Sequence, residues 1–323
     1  MRTIGFVVSS KENERRRALL PEHLQSVRHR SSLVFESGYG HHFGIQDDEY
    51  RALGCAVASR ESVHQCEVVC NPKTPEPSER GLYATGQTLF GWVHAVQGRA
   101  IVDFLLERRM TAVAWEDMFD RGRHVFWRNN EIAGEAAILH AVPFLGRLPG
   151  GLRAALIGRG NCARGAFRAL AQLGVEVVAF DRHTSGHLRS DLPSFDVVVN
   201  AVQWDVFCRD HLVYAEDLKR MKRGSMIIDI SCDEGMGIET TRATPISEPV
   251  YEVDGIIHYA VDHTPALFWR TATHSIGAAL APFVDRVVTG EIDDCLRGAT
   301  IIESGRIIDD RIARFQNRGV PAA

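Results

Sequence analysis

Short apolar runs alternate with helix-like stretches from the start of the chain. The runs lie at 4–8 (IGFVV), 32–36 (SLVFE), 67–70 (EVVC), 88–93 (TLFGWV) and 111–115 (TAVAW), and helices are predicted from Pro21, over 47–53 and over 99–109. Alternation of this kind implies parallel strands joined by crossover helices, so residues 1–129 read as one α/β domain. A helical stretch over 130–144 ends in a Pro-Gly-Gly loop, and a second series of apolar runs follows at 153–157, 175–180, 196–202, 225–230 and 256–261. The pattern turns helical again over 272–289 and closes in a polar, charged tail. That last helix lies beyond the second series and is assigned back to the first domain. The expected fold is therefore α/β, with two Rossmann-like parallel-sheet domains. A domain of residues 130–267 is inserted into one made of 1–129 plus 268–323, with a cleft between them.

The second domain opens on Gly158-Arg159-Gly160-Asn161-Cys162-Ala163, placed between a strand-like run and a helix-like one. Glycine permits a tight turn and close approach of a pyrophosphate, and the following helix offers unpaired N–H groups to the phosphates. Gly158, Gly160, Asn161 and Ala163 are thus candidate dinucleotide-binding residues. Asp181 closes the next apolar run, where an acidic residue accepts from ribose hydroxyls and repels a 2′-phosphate. It argues for NADH, while the adjacent cations Arg182 and His183 argue for NADPH.

Composition narrows the class. The 323 residues are 45% hydrophobic and 24% charged with a net charge of −4, which suits a globular chain and supplies no basic field for nucleic acid. No apolar stretch approaches the roughly 18 residues that span a bilayer, and the first residues do not form a signal peptide. A cytoplasmic protein without membrane or nucleic-acid partners is expected. Seven scattered cysteines lack a paired framework, so reduced thiols and no metal site are expected.

A nicotinamide domain beside a separate α/β domain implies hydride transfer to a small-molecule substrate. Reduction of a C=O or C=N bond needs a cation for the substrate's acid group and a proton donor near the reacting carbon. Residues 11–21 (KENERRRALLP) follow the first strand, Lys73 follows the strand ending VVCN, and His94 follows LFGWV. All three positions lie at carboxyl ends of predicted strands, where open α/β sheets bind ligands.

Seven segments carry a resemblance, in order and nearly end to end: SSKENERRRALLPEHL (9–24), VVCNPK (68–73), LFGWVHAVQ (89–97), AWEDMF (114–119), RNNEIAGEAAILHA (128–141), MIIDISCDEGMGIETT (226–241) and YEVDGIIHYAVDHTPAL (251–267). Together they resemble the alanine dehydrogenase and pyridine nucleotide transhydrogenase superfamily, which also includes the lysine-forming saccharopine dehydrogenases. Within it the chain is most similar to the N5-(carboxyethyl)ornithine synthases.

The resemblance implies roles. Arg16 would hold a substrate carboxylate, Lys73 a keto oxygen, His94 would act as acid/base, Asp233 would lie by the nicotinamide, and Asn130 would contact the cofactor from the connecting helix. Where alanine dehydrogenases carry asparagine, this chain has His263 in Asp262-His263-Thr264-Pro265, a sequence also found in saccharopine dehydrogenases. The implied reaction is an NAD(P)H-dependent reductive condensation of the side-chain amine of a basic amino acid, ornithine or lysine, with an α-keto acid such as pyruvate. His94 or His263 would take the amine's proton, and Glu116, Asp117, Asp233, Glu234 and Asp262 are candidates for recognising the cationic substrate. The ornithine-type synthases are similar in carrying basic residues after the second strand, which with Arg182 and His183 tips the expectation to NADPH over NADH. A homo-oligomer is also implied. Two other readings stand beside this one: an amino acid dehydrogenase using ammonia, and a non-catalytic NAD(P)-binding module.

Overall fold

The computed structural model describes residues 1–318. The chain forms two compact units, one of Met1–Phe126 with the segment from Trp269 onward, the other of Trp127–Phe268.

In the first unit, strands β1 (Ile4–Phe6), β2 (Leu33–Glu36), β3 (Ala56–Ala58), β4 (Val68–Asn71), β5 (Thr88–Gly91) and β6 (Thr111–Ala114) pair in the order β3-β2-β1-β4-β5-β6, all parallel. The chain winds one way from β1 to β3 and the other way from β4 to β6. The switch point therefore falls between β1 and β4, whose carboxyl ends open a crevice. One face of the sheet packs Phe6, Phe35, Tyr39 and Tyr50 into an aromatic core. Val7, Val69, Leu89 and Leu105 fill the other. A short hairpin of β7 (Phe119–Asp120) and β8 (Arg123–His124) follows. The helix predicted from Pro21 is a single 3-10 segment, Pro21–Ser26, and the run 88–93 is strand only as far as Gly91.

The second unit begins with the helix Trp127–Ala141, which ends as a 3-10 turn, Val142–Leu145. Pro143 lacks the N–H that would continue the α-helix. Strands β9 (Arg153–Ile157), β10 (Glu176–Phe180), β11 (Val197–Asn200), β12 (Met226–Asp229), β13 (Val250–Val253) and β14 (Ile256–Tyr259) pair in the order β10-β9-β11-β12-β14-β13, parallel except for β13 against β14. Here the switch point lies between β9 and β11, directly at the glycine turn.

Returning to the first unit, the chain forms the helix Trp269–Thr289, which packs Ile276, Leu280, Phe283, Val284 and Val288 into the aromatic core. The tail is more ordered than its polar composition suggests. β15 (Thr300–Glu303) adds antiparallel to β6, and β16 (Arg306–Ile307) pairs with β15, extending the sheet to eight strands. Among the described residues no helix is long and apolar enough to cross a membrane.

Candidate active site

At the carboxyl end of β1 the chain bends back through Asn13, at φ 55°. Glu14 and Arg16 are both buried there and form a two-pronged ion pair: Arg16 Nε donates to Glu14 Oε1 at 2.8 Å and Nη2 to Oε2 at 2.5 Å. The Arg16 backbone N–H also donates to Glu14 Oε1, at 2.9 Å. Burial alone would raise the Glu14 carboxyl, but Arg16, its hydrogen bonds and the nearby charge of Lys73 outweigh it and hold the group below its ordinary value. The Arg16 guanidinium lies 5.2 Å from the centre of the Trp92 ring, and Trp92 is itself packed against Trp115 and Phe126. Arg17, by contrast, is structural. It donates to the Tyr39 and Arg16 carbonyl oxygens, at 2.6 and 2.9 Å.

Beyond β4, the Asn71 side chain accepts from the backbone N–H of Lys73 at 3.1 Å, closing the turn that presents this largely buried lysine. Gly91 is required beside it, because a Cβ there would sit 1.8 Å from the Asn71 carbonyl oxygen. Past β5, the Glu116 carboxylate accepts the backbone N–H of His94 at 2.5 Å and of Val93 at 3.2 Å. These two bonds end the ladder at Gly91 and hold His94 in a left-handed conformation, φ 51°, with its side chain exposed. The first unit thus brings Arg16, Lys73 and His94 to the carboxyl ends of β1, β4 and β5. Glu116, expected as a reader of the cationic substrate, has its carboxylate committed to the backbone of the β5 end. Asp117 is ion-paired with Arg311 at 2.9 Å, and Glu234, in the second unit, accepts from the backbone N–H of Ala243.

In the second unit Gly158 adopts φ +116°, and a Cβ there would lie 2.9 Å from the Ala201 carbonyl oxygen, so glycine is needed for the turn itself. Gly160 differs: a Cβ at this position meets no protein atom within 4 Å. It caps the helix Asn161–Gln172, whose first N–H groups no capping side chain engages. The room left at Gly160 and these donors fit a dinucleotide pyrophosphate. Ala163 is buried in the core, and the Asn161 side chain accepts from Arg164 at 2.6 Å. At the end of β10, one oxygen of Asp181 accepts from the backbone N–H groups of His183 and Thr184; the His183 bond leads in lowering its pKa, with the Thr184 hydroxyl and the Arg159 charge adding to it. Arg182 and His183 are exposed. Asn130 is half-buried in the first turn of the helix Trp127–Ala141.

The Asp229 carboxylate, at the end of β12, is buried and accepts from the Asn200 amide at 3.0 Å, the Thr241 hydroxyl at 2.7 Å and the backbone N–H of Ser231 at 3.1 Å. Burial pushes its carboxyl up to about 6. The network fixes the loop bearing Asp233, whose charge also raises Asp229. Sequence reading missed Asp229, although an acid ending an apolar strand is itself a signal. His263 is buried, with Nδ1 2.5 Å from Asp262 Oδ1, so the two form a His–carboxylate pair.

Two family models match the chain: the N-terminal domain of alanine dehydrogenase/PNT over residues 7–129, and the C-terminal domain of alanine dehydrogenase/PNT over residues 164–311. An N(5)-(carboxyethyl)ornithine synthase of Clostridium botulinum is 32% identical over 300 residues, covering 87% of this chain and 93% of that protein. The chain belongs to the alanine dehydrogenase/PNT family. A second relative, the N(5)-(carboxyethyl)ornithine synthase of Lactococcus lactis subsp. lactis, is 28% identical over 86% of the chain and 94% of its own length. Among solved structures an L-alanine dehydrogenase superposes with a TM-score of 0.80 at 23% identity, over 98% of this chain and 99% of that one, and shows the shared fold. With these relatives, membership of the alanine dehydrogenase/PNT family makes the protein an oxidoreductase of the NAD(H)- or NADP(H)-binding class.

Proposed function

We propose that the protein catalyses an NAD(P)H-dependent reductive condensation. The side-chain amine of a basic amino acid, ornithine or lysine, attacks the keto carbon of pyruvate or a similar α-keto acid. Water leaves, and the imine is reduced to an N5-(carboxyethyl)ornithine-like secondary amine. The observation that carries this reading is the convergence of Arg16, Lys73 and His94 at three neighbouring strand ends of the first unit. The names of the Clostridium and Lactococcus relatives support it.

In this reading the first unit, Met1–Phe126 with the segment from Trp269 onward, holds substrate, and the second, Trp127–Phe268, holds the dinucleotide. Arg16 presents a guanidinium to the keto-acid carboxylate, with Glu14 held ionised beside it to fix the fork. Lys73 polarises the keto oxygen as negative charge develops there. The exposed imidazole of His94 moves protons as the carbinolamine forms and collapses. The amine must lose a proton before it attacks, since its unperturbed pKa is near 10.4. His94, which is exposed, or His263, which is buried against Asp262, takes it. Gly158 and Gly160 would let the pyrophosphate approach the backbone of the turn, with Asn161 and Ala163 in the first turn of the helix behind it. Asp181, Arg182 and His183 would hold the adenosine ribose, Asn130 would contact the cofactor from the connecting helix, and Asp233 would lie by the nicotinamide. When bound, the reduced cofactor supplies the hydride. Arg182 and His183 favour NADPH.

Following NADPH and NADH absorbance with pyruvate plus ornithine, lysine or ammonium tests the proposal. Oxidation with a diamino acid is expected. Oxidation with ammonium and with neither diamino acid would instead establish the amino acid dehydrogenase reading.

A further inference from the structure

Arg159 stands between the two glycines of the turn, and its guanidinium reaches the end of β10, with Nη2 2.9 Å from Asp181 Oδ2. The other carboxylate oxygen of Asp181 is engaged by its own turn. It accepts from the His183 N–H at 2.9 Å, the Thr184 N–H at 3.1 Å and the Thr184 hydroxyl at 3.1 Å. The acid that would take ribose hydroxyls and turn away a 2′-phosphate thus has one oxygen in a turn and the other in an ion pair. With Asp181 at −1 against Arg159 and Arg182 at +1 each, this edge carries net positive charge before His183 is counted.

The Arg159 side chain is 73% exposed. An ion pair so open to water is screened and weak, so its guanidinium can exchange partners at little cost. A guanidinium also matches two phosphate oxygens at once, in a geometry that an ammonium cannot reproduce. We propose that Arg159 selects NADPH over NADH, neutralising Asp181 in the free protein and turning to the 2′-phosphate of the adenosine ribose when the dinucleotide binds. The proposal rests on the dinucleotide-binding role given above to the second unit. It moves the deciding contact from the residues after β10 to the x position of the Gly-x-Gly turn.

Fluorescence titration of the full chain with NADPH and NADH, without keto acid or amine, tests it, with 2′,5′-ADP and 5′-AMP as probes of the adenosine end. Wild type should bind NADPH at least about tenfold more tightly than NADH, and Arg159→Ala should weaken NADPH by about 10- to 100-fold, as expected for lost charge-assisted bonds, with NADH changed less than about threefold. Arg159→Lys, which keeps the charge and loses the fork, should fall between them, and it also decides the matter if thermal melts show the alanine variant misfolded. Tighter binding of NADH by wild type, or equal weakening of both dinucleotides in folded variants, would overturn the proposal. Binding of neither would overturn it together with the cofactor assignment. Selection of NADPH through Arg159 in a protein that turns over no amine would support it and sink only the substrate reading.

Discussion

His94 keeps a backbone conformation that non-glycine residues adopt at a cost on the order of 1–2 kcal/mol, and Glu116 is what holds it there. Glu116 is a positioning residue. Glu116→Ala should lower kcat by about tenfold or more, as for a misplaced proton-transfer group, with dinucleotide affinity unchanged, whereas Glu116→Gln keeps an acceptor for the strand-end N–H groups and should retain most activity. Stopped-flow turnover with parallel cofactor titration separates the two. The same residue carries a pH signature. Burial pushes its carboxyl up from the ordinary 4.5 to about 7, so the folded protein holds this proton more tightly than the unfolded chain does. The stability tied to that proton is complete below about pH 4.5 and is lost as pH rises to about 7. Thermal melts should show wild type losing ground to Glu116→Gln across that window, and parallel curves would refute the assignment. Lys73 and His94 are legible in the sequence because each follows an apolar run that ends in a loop, whereas Arg16 is singled out among the arginines at 15–17 only by the family resemblance. The Glu116 clamp is not legible there, since it joins residues 22 apart through the β5–β6 register, in which Gly91 stands opposite Ala114. Register is a pairing property that periodicity along one strand does not contain.

Two helices show how glycines that look alike in sequence do different work. The helices Trp127–Ala141 and Asn161–Gln172 touch backbone to backbone. A Cβ on Gly134 would lie 2.0 Å from the Cys162 carbonyl oxygen, and one on Gly165 would lie 1.9 Å from that of Glu131. Around this contact Glu131 and Glu135 are ion-paired with Arg128 and Arg168. Gly165→Ala must therefore push the helices apart, at about 1–3 kcal/mol for an overpacked site, and should lower the melting temperature of the protein without ligand. Gly160→Ala meets no protein atom and sits at φ −73°, which any residue adopts. It should leave that melt nearly unchanged while weakening dinucleotide binding by about tenfold or more, through lost approach of the pyrophosphate. A stability loss at Gly160 comparable to that at Gly165 would show that the open space serves the fold and not a ligand. The Gly-x-Gly turn is readable from its strand and helix neighbours. The Gly134–Gly165 contact depends on which helices cross, and no local pattern announces that.

At the scale of the whole chain, the two units differ in how they depend on sequence continuity. The second unit, Trp127–Phe268, is one uninterrupted segment with cores on both faces of its sheet. The first is completed only after the chain returns. Ile276, Leu280 and Val288 from the helix Trp269–Thr289, and Ile302 from β15, are all fully buried in cores founded by residues before Phe126. The tail reads as polar because charges flank short apolar runs such as Ile301-Ile302. A four-residue strand pairing with β6 has too little periodicity to stand out. At about 1.5–3 kcal/mol for each buried aliphatic side chain, those four residues alone contribute on the order of the net stability of a domain, about 5–15 kcal/mol. A fragment of residues 1–126 also leaves β6 as an unpaired edge, which invites association. Expressed alone, 1–126 should aggregate or lack a cooperative thermal transition. A fragment of 127–268 should melt cooperatively and bind 2′,5′-ADP. Circular dichroism melts and calorimetric titration read both outcomes. A cooperatively folded 1–126 would show that the returning segment decorates the first unit, whereas an unfolded 127–268 would show that the inserted unit depends on its host.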